Sequence, residues 1–185
     1  MGEDMNHAFL KEYTHGQLKK YVHKQLSYTY WFVFVHDRTQ EDVLRVARLN
    51  DKYLNLEITK EERDEWLAGI KGALNASDLQ RIEWNTRLIG ELELLRLTLS
   101  VREWERPDIP RVSDFTRLLD NVRQIRESGM TLPDTPQVPE HPLNTYQKWN
   151  DIEKILHDAV LVHERTLKNL DRCGEIYIGE RIGVL

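Results

Sequence analysis

Cysteine is almost missing from these 185 residues, and the single Cys173 excludes an intrachain disulfide and any cysteine-rich zinc site. Nothing in the chain therefore calls for an oxidising compartment. Positive charge is also short: the net charge is -5 and the pI near 5.8, so there is no basic field to gather phosphates, and nucleic acid is not an expected partner. No run is long and apolar enough to cross a bilayer, and Met1 to Leu10 carries Glu3 and Asp4 where a signal peptide has positive charge. A membrane partner is not expected, and synthesis and folding in the cytoplasm are. The nine glycines form no G-x-G-x-x-G and no G-x-x-x-x-G-K, which argues against a nucleotide enzyme. H-E-x-x-H, G-x-S-x-G and the paired Glu-x-x-His of di-iron bundles are missing as well.

What is present is helical patterning. Hydrophobic residues make up 40% and charged residues 31%, interspersed rather than blocked, as in a folded domain. Thr39-Gln40-Glu41-Asp42 resembles a capping box, followed by Val43, Val46, Ala47 and Leu49 to about Asn50. Thr59-Lys60-Glu61-Glu62 repeats it ahead of Trp66, Leu67 and Ile70, with a stop expected near Gly72. Ser77-Asp78 opens what reads as the longest and central helix, with Trp84, Leu88, Leu92, Leu95 and Leu99 as one seam. Ser113 caps a helix bearing Phe115, Leu118, Leu119, Val122 and Ile125 and ending at Gly129. A Pro-rich strap at 131–143 places Pro133, Pro136, Pro139 and Pro142 at a period of three. That fits a polyproline rod of roughly 30 Å joining helix ends, or an SH3-type ligand. The last helix runs from about Thr145 to Leu170, with Trp149, Ile152, Leu156, Ala159, His163, Leu167 and Leu170 in register.

The fold expected is mainly α: an irregular bundle of four to five helices with short extended or strand segments near both termini. These segments are the aromatic run Tyr28 to Val35 and the tail Gly174 to Arg181, which are rich in β-favouring residues and suited to pairing with each other or with another subunit. Residues 1–36 read as an attachment arm, 37–181 as the helical domain and 182–185 as a tail. Between Lys11 and Lys24 four lysines and one glutamate alternate with Tyr13, Leu18, Tyr21 and Val22, an amphipathic arm that is either solvated or a local binding element.

Few residues carry a pattern that points to chemistry. Glu153 and His157, four apart, can face one ion, but such pairs are common on exposed helices. His163 lies in the apolar stripe of the last helix and reads as a neutral core histidine bonded to a neighbour rather than a base. His7, His15 and His23 do not stack on a helix, and Glu91 and Glu93 point to opposite sides. No catalytic, cofactor-binding or metal-binding residue is expected, and no cofactor. The five tryptophans are spread one to an element; Trp66, Trp84 and Trp149 read as core anchors and Trp31 as an interface residue.

Several strings, in order, resemble a segment of minor structural and tail proteins of phages and prophages of Gram-positive bacteria. They are Arg38-Thr39-Gln40-Glu41-Asp42-Val43, the block Trp66 to Ile82, Trp104 with Asp108-Ile109-Pro110, and Asn121 to Arg126. Leu132 to Pro139, Asn150 to Leu156 and Gly174 to Glu180 continue the series. The resemblance covers roughly residues 37–181, departs at Gln80 and Glu83-Trp84, and has no counterpart for the first 36 residues. It implies a virion component of the tail, baseplate or fibre region with no catalytic residue, and the first expectation is a structural and adaptor protein present in several copies, a homo-oligomer or multi-copy part that holds other virion proteins through its termini. A cytoplasmic helical regulator binding one partner through the basic arm is the alternative expectation.

Overall fold

A computed structural model describes residues 32–173, except Glu93, Arg96 and Arg106, and only the backbone of 170–173. It is mainly helical, with five helices and no strand among the described residues. Trp31, the arm 1–31, most of the aromatic run and the tail 174–185 lie outside them. Phe32 to Val35, the described end of that run, has no regular structure.

Helix α1 spans Gln40–Leu54 and α2 Lys60–Ala68, each opened by the expected capping box. Asp42 accepts the Thr39 amide at 2.7 Å and Glu62 that of Thr59 at 3.2 Å, while the Thr39 and Thr59 hydroxyls accept the Asp42 and Glu62 amides in return, so two orphan donors at each helix start are satisfied by adjacent side chains. Helix α1 runs a turn beyond Asn50 because Asp51-Lys52-Tyr53 contains nothing to break it; Leu56, at φ 60, reverses the chain. Helix α2 stops before Gly72 because Gly69 adopts φ 96. The pair forms a hairpin in which Trp66 stacks on Tyr53 at 4.9 Å and donates its indole N–H to Asn50 at 2.9 Å.

Helix α3 spans Ala76–Glu91 and starts at Asn75 rather than Ser77, with Asp78 accepting the Asn75 amide at 3.0 Å. It is neither the longest helix nor continuous to Leu99. From Leu92 the chain is non-helical, and the sequence gives the reason: Leu95, Leu97 and Leu99 alternate with polar residues, the period of extended chain. Leu99 folds back over Gly90, where a Cβ would come within 3.0 Å of its Cδ1. Trp84, expected in the seam of this helix, is 43% exposed, with the Arg87 guanidinium 6.0 Å from its ring. Once the helix ends at Glu91 the face bearing Trp84 has no second layer over it, and the ring stays at the surface.

Helix α4 spans Val112–Glu127, preceded by Arg111, whose amide Asp114 accepts at 2.8 Å; Ser113 is inside the helix rather than its cap. Gly129, at φ 85, follows its end as expected. In the connector Thr135 donates its amide to Leu132 at 3.0 Å, closing a turn around Pro133 and Asp134, so the four prolines do not share one rod. It nevertheless acts as a strap: Arg126 Nε donates to the Pro136 carbonyl, and Val138 and Leu143 pack on the core. Helix α5, Tyr146–Cys173, has 28 residues and is the central one. Its Trp149, Ile152, Ile155, Leu156 and Ala159 meet Ile82 and Ile89 of α3 and Leu118, Leu119, Val122 and Ile125 of α4 in one core.

Candidate functional site

Two buried charge clusters hold this core together. Arg38 is 5% exposed and Glu153 of α5 fully buried; Arg38 Nη2 donates to Glu153 Oε1 at 2.8 Å, and Arg81 of α3 donates to the same oxygen at 2.7 Å. Asp78 accepts from Arg81 at 2.8 Å, and the Val35 amide donates to Glu153 Oε2 at 2.7 Å. A second pair of bonds joins the same elements: Asn150 accepts the Arg38 amide at 3.1 Å and donates to the Arg38 carbonyl at 2.8 Å. A charge is stable in such a place only when fully paired and hydrogen-bonded, and here both oxygens of Glu153 are engaged. Burial lowers the Arg81 pKa, and the bonds to Glu153 and Asp78 outweigh it, leaving the guanidinium above its ordinary value.

The second cluster centres on Glu83, 2% exposed on α3. Arg117 of α4 grips both of its oxygens, the Arg102 amide donates to it at 3.2 Å, and Trp104 turns its indole N–H toward it at 3.4 Å. Nearby, Asn121 of α4 accepts the Ser100 amide and donates to the Ser100 carbonyl, fixing the chain that leaves α3.

Between the hairpin and the body lies an open cleft of ≈870 Å³, with Trp66, Ile70, Leu79, Trp104 and Pro110 among its walls and Gln80, Asn75 and Asp108 as polar groups. Gln80 is partly committed, since it accepts the Trp104 amide at 2.7 Å. The far side of the hairpin is held by the 69–75 loop: Lys71 pairs with Asp37 at 2.7 Å, and Gly72 sits so close to α1 that a Cβ there would fall 2.2 Å from the Asp42 carbonyl oxygen.

The residues singled out for chemistry are not brought into one constellation. Glu153 and His157 share a helix but not a site: Glu153 is committed to Arg38 and Arg81, while His157 packs edge-on against Phe34 at 5.4 Å and beside His36 at 4.9 Å. The nearest carboxylate to His157 is that of Asp158, 3.2 Å from Nδ1, which also takes bonds from Thr135 at 2.7 Å and Lys154 at 2.9 Å. Burial pushes the Asp158 carboxyl up, and the bonds from Thr135, Lys154 and His157 more than offset it, holding the group below its ordinary value. His163 is fully buried as expected, but the expected partner is missing: neither ring nitrogen has a hydrogen bond among the described residues, and burial pushes its pKa down to about 4. No cluster of three or more His, Cys, Asp or Glu positioned for a metal ion occurs among the described residues, and none of their helices is long and apolar enough to cross a membrane. His7, His15, His23 and Glu93 lie outside them. Of the tryptophans, Trp104 and Trp149 are buried and Trp66 half-buried.

Sequence reasoning missed Arg38, Arg81, Glu83, Arg117 and Asn121 as key residues. The available signal was a charged residue next to an apolar stripe: Glu83 sits between Ile82 and Trp84, and Glu153 directly follows Ile152. Compared with known proteins, the chain matches no family model, no curated protein and no solved structure.

Proposed function

We propose that this chain is a structural component of a phage tail or tail-like particle, of the tail, baseplate or fibre region, present in several copies and acting by contact with neighbouring virion proteins rather than by catalysis. The observation that carries the reading is the ordered series of segments similar to phage minor structural proteins, together with what those segments do in the fold. They bond to one another: Arg38 to Asn150 and Glu153, Arg81 to Glu153, and Arg126 to the Pro136 carbonyl. The block from Trp66 and the Trp104 to Pro110 segment also face each other across the cleft. Their charged groups are spent on positioning helices, which is what a scaffold needs, and a cleft walled by two tryptophans is a favourable place for a neighbour's apolar side chain.

Mixing the purified full-length chain with products of adjacent virion genes, followed by size exclusion, tests this. A complex of fixed ratio supports it. A chain that elutes alone from every such neighbour, or that binds a single non-particle protein through residues 11–24, overturns it.

A further inference from the structure

Helix α1 carries a second apolar stripe that faces away from the protein. Leu44, Ala47, Asp51 and Leu54 recur at intervals of three, four and three residues, the seam spacing of a helix that packs along another helix. All four are exposed, Leu44 by 46% and Leu54 by 76%, and Leu56 just beyond them by 91%. The hairpin that bears them has little core of its own. Helix α1 has 15 residues and buries only Leu49; α2 has 9 and buries none. Two helices ordered for so little burial have more to gain from being covered than the well-buried helices α3 and α4.

We infer that this face pairs with the same face of a second copy of the chain, the two α1 helices lying antiparallel about a two-fold axis. The pattern selects that occupant because it complements itself. Position 49 is midway between Leu44 and Leu54 and also midway between Ala47 and Asp51. Antiparallel pairing centred there sets each Leu44 against the second copy's Leu54, twice, and each Ala47 against the second copy's Asp51, the small residue leaving room for the carboxylate. Arg48, exposed and adjacent in the stripe, then stands beside the second copy's Asp51. Arg48 also reaches Glu41 of its own chain at 2.8 Å, an exposed contact that leaves the guanidinium able to meet the second copy's Asp51 as well, whereas Arg45 reaches Glu65 at 2.9 Å and Lys52 reaches Glu62 at 2.5 Å within the hairpin. Asp51 is the one carboxylate inside the stripe, and it has no ion-pair partner among the described residues. A symmetric contact repeats each favourable pair, so one leucine pair and one charge pair count double. The stripe extends about 15 Å from Leu44 to Leu54, a small contact, which makes the pairing reversible and dependent on concentration.

The pairing deepens the multi-copy reading above but stands on its own geometry, and the two fail separately. Sedimentation equilibrium of the full chain over a concentration series is the test, with circular dichroism on each variant. The wild type should fit a monomer–dimer equilibrium. Leu54→Glu and, independently, Leu44→Glu should weaken it by about tenfold or more with helix content unchanged, since both side chains are at the surface. Asp51→Arg should weaken it similarly by placing like charges side by side, and Arg48→Asp combined with Asp51→Arg should restore it. A wild type that stays monomeric, self-association indifferent to both leucine variants, or a double variant no better than Asp51→Arg alone overturns the pairing. If such a chain still enters a fixed-ratio complex with virion proteins, the assembly reading survives; if the chain pairs through α1 but joins no virion protein, the reverse holds.

Discussion

At the scale of single residues, burial and pairing separate side chains that look alike in the sequence. Trp84 and Ile152 both occupy apolar stripes, yet Trp84 is 43% exposed and Ile152 fully buried. Trp84→Ala should cost about 1 kcal/mol or less, while Ile152→Ala should cost roughly 2 to 5 kcal/mol, in urea unfolding followed by circular dichroism. Glu153→Gln is expected to be worse than its size suggests. It leaves Arg38 and Arg81 facing a neutral amide, and breaking a buried charge network from one side costs roughly 3 to 5 kcal/mol. His163 adds a pH dependence. Its folded-state pKa, about 4, lies below the ordinary 6.5, so the unfolded chain binds the extra proton between these values. Its contribution to stability is complete above pH 6.5 and is lost as the pH falls toward 4, a loss on the order of 3 kcal/mol. His163→Leu should flatten that slope and, by removing from the core two nitrogens that have no hydrogen bond among the described residues, raise stability at neutral pH by about 1 kcal/mol or more.

At the scale of elements, the caps at Thr39 and Thr59 and the last helix were legible because their signals are local, whereas Ser77 and Ser113 proved to lie inside their helices, behind Asn75 and Arg111. Thr39 with Asp42, Thr59 with Glu62 and the stripe from Trp149 to Leu167 each act within a few turns of chain, and all took the expected form. The end of α3 was not, because Leu88, Leu92, Leu95 and Leu99 fit a helical seam as well as they fit a helix followed by alternating chain, and only the return of Leu99 onto Gly90 decides between the two. The connector was half legible: its role as a strap follows from its prolines, its turn from the Thr135 hydrogen bonds to Leu132 and Asp158, which no proline spacing encodes. The ionic clusters join positions as far apart as Arg38 and Glu153 and were invisible to any local reading. Gly72 is where the hairpin is fastened to the body. Gly72→Ala puts a methyl into the Asp42 carbonyl, so the 69–75 loop must move off α1. Amide exchange in α1 and α2 should rise by at least an order of magnitude while α5 stays protected, a pattern native-state hydrogen exchange would resolve.

At the scale of the whole molecule, three helices enclose one core and a lightly buried hairpin stands beside it. The core has its charges matched internally; the hairpin and the cleft offer apolar surface outward. Such a division between rigid body and adhesive edge suits a part that is held in place by neighbours. Whether the chain belongs to a particle, as proposed, is decided by mass spectrometry of purified virions or tail-like particles from cells carrying the gene. The chain is expected in the particles at a fixed, multi-copy ratio to the major tail proteins and should survive high-salt washing. Its absence from purified particles, with the chain abundant in the cleared lysate, would rule that membership out.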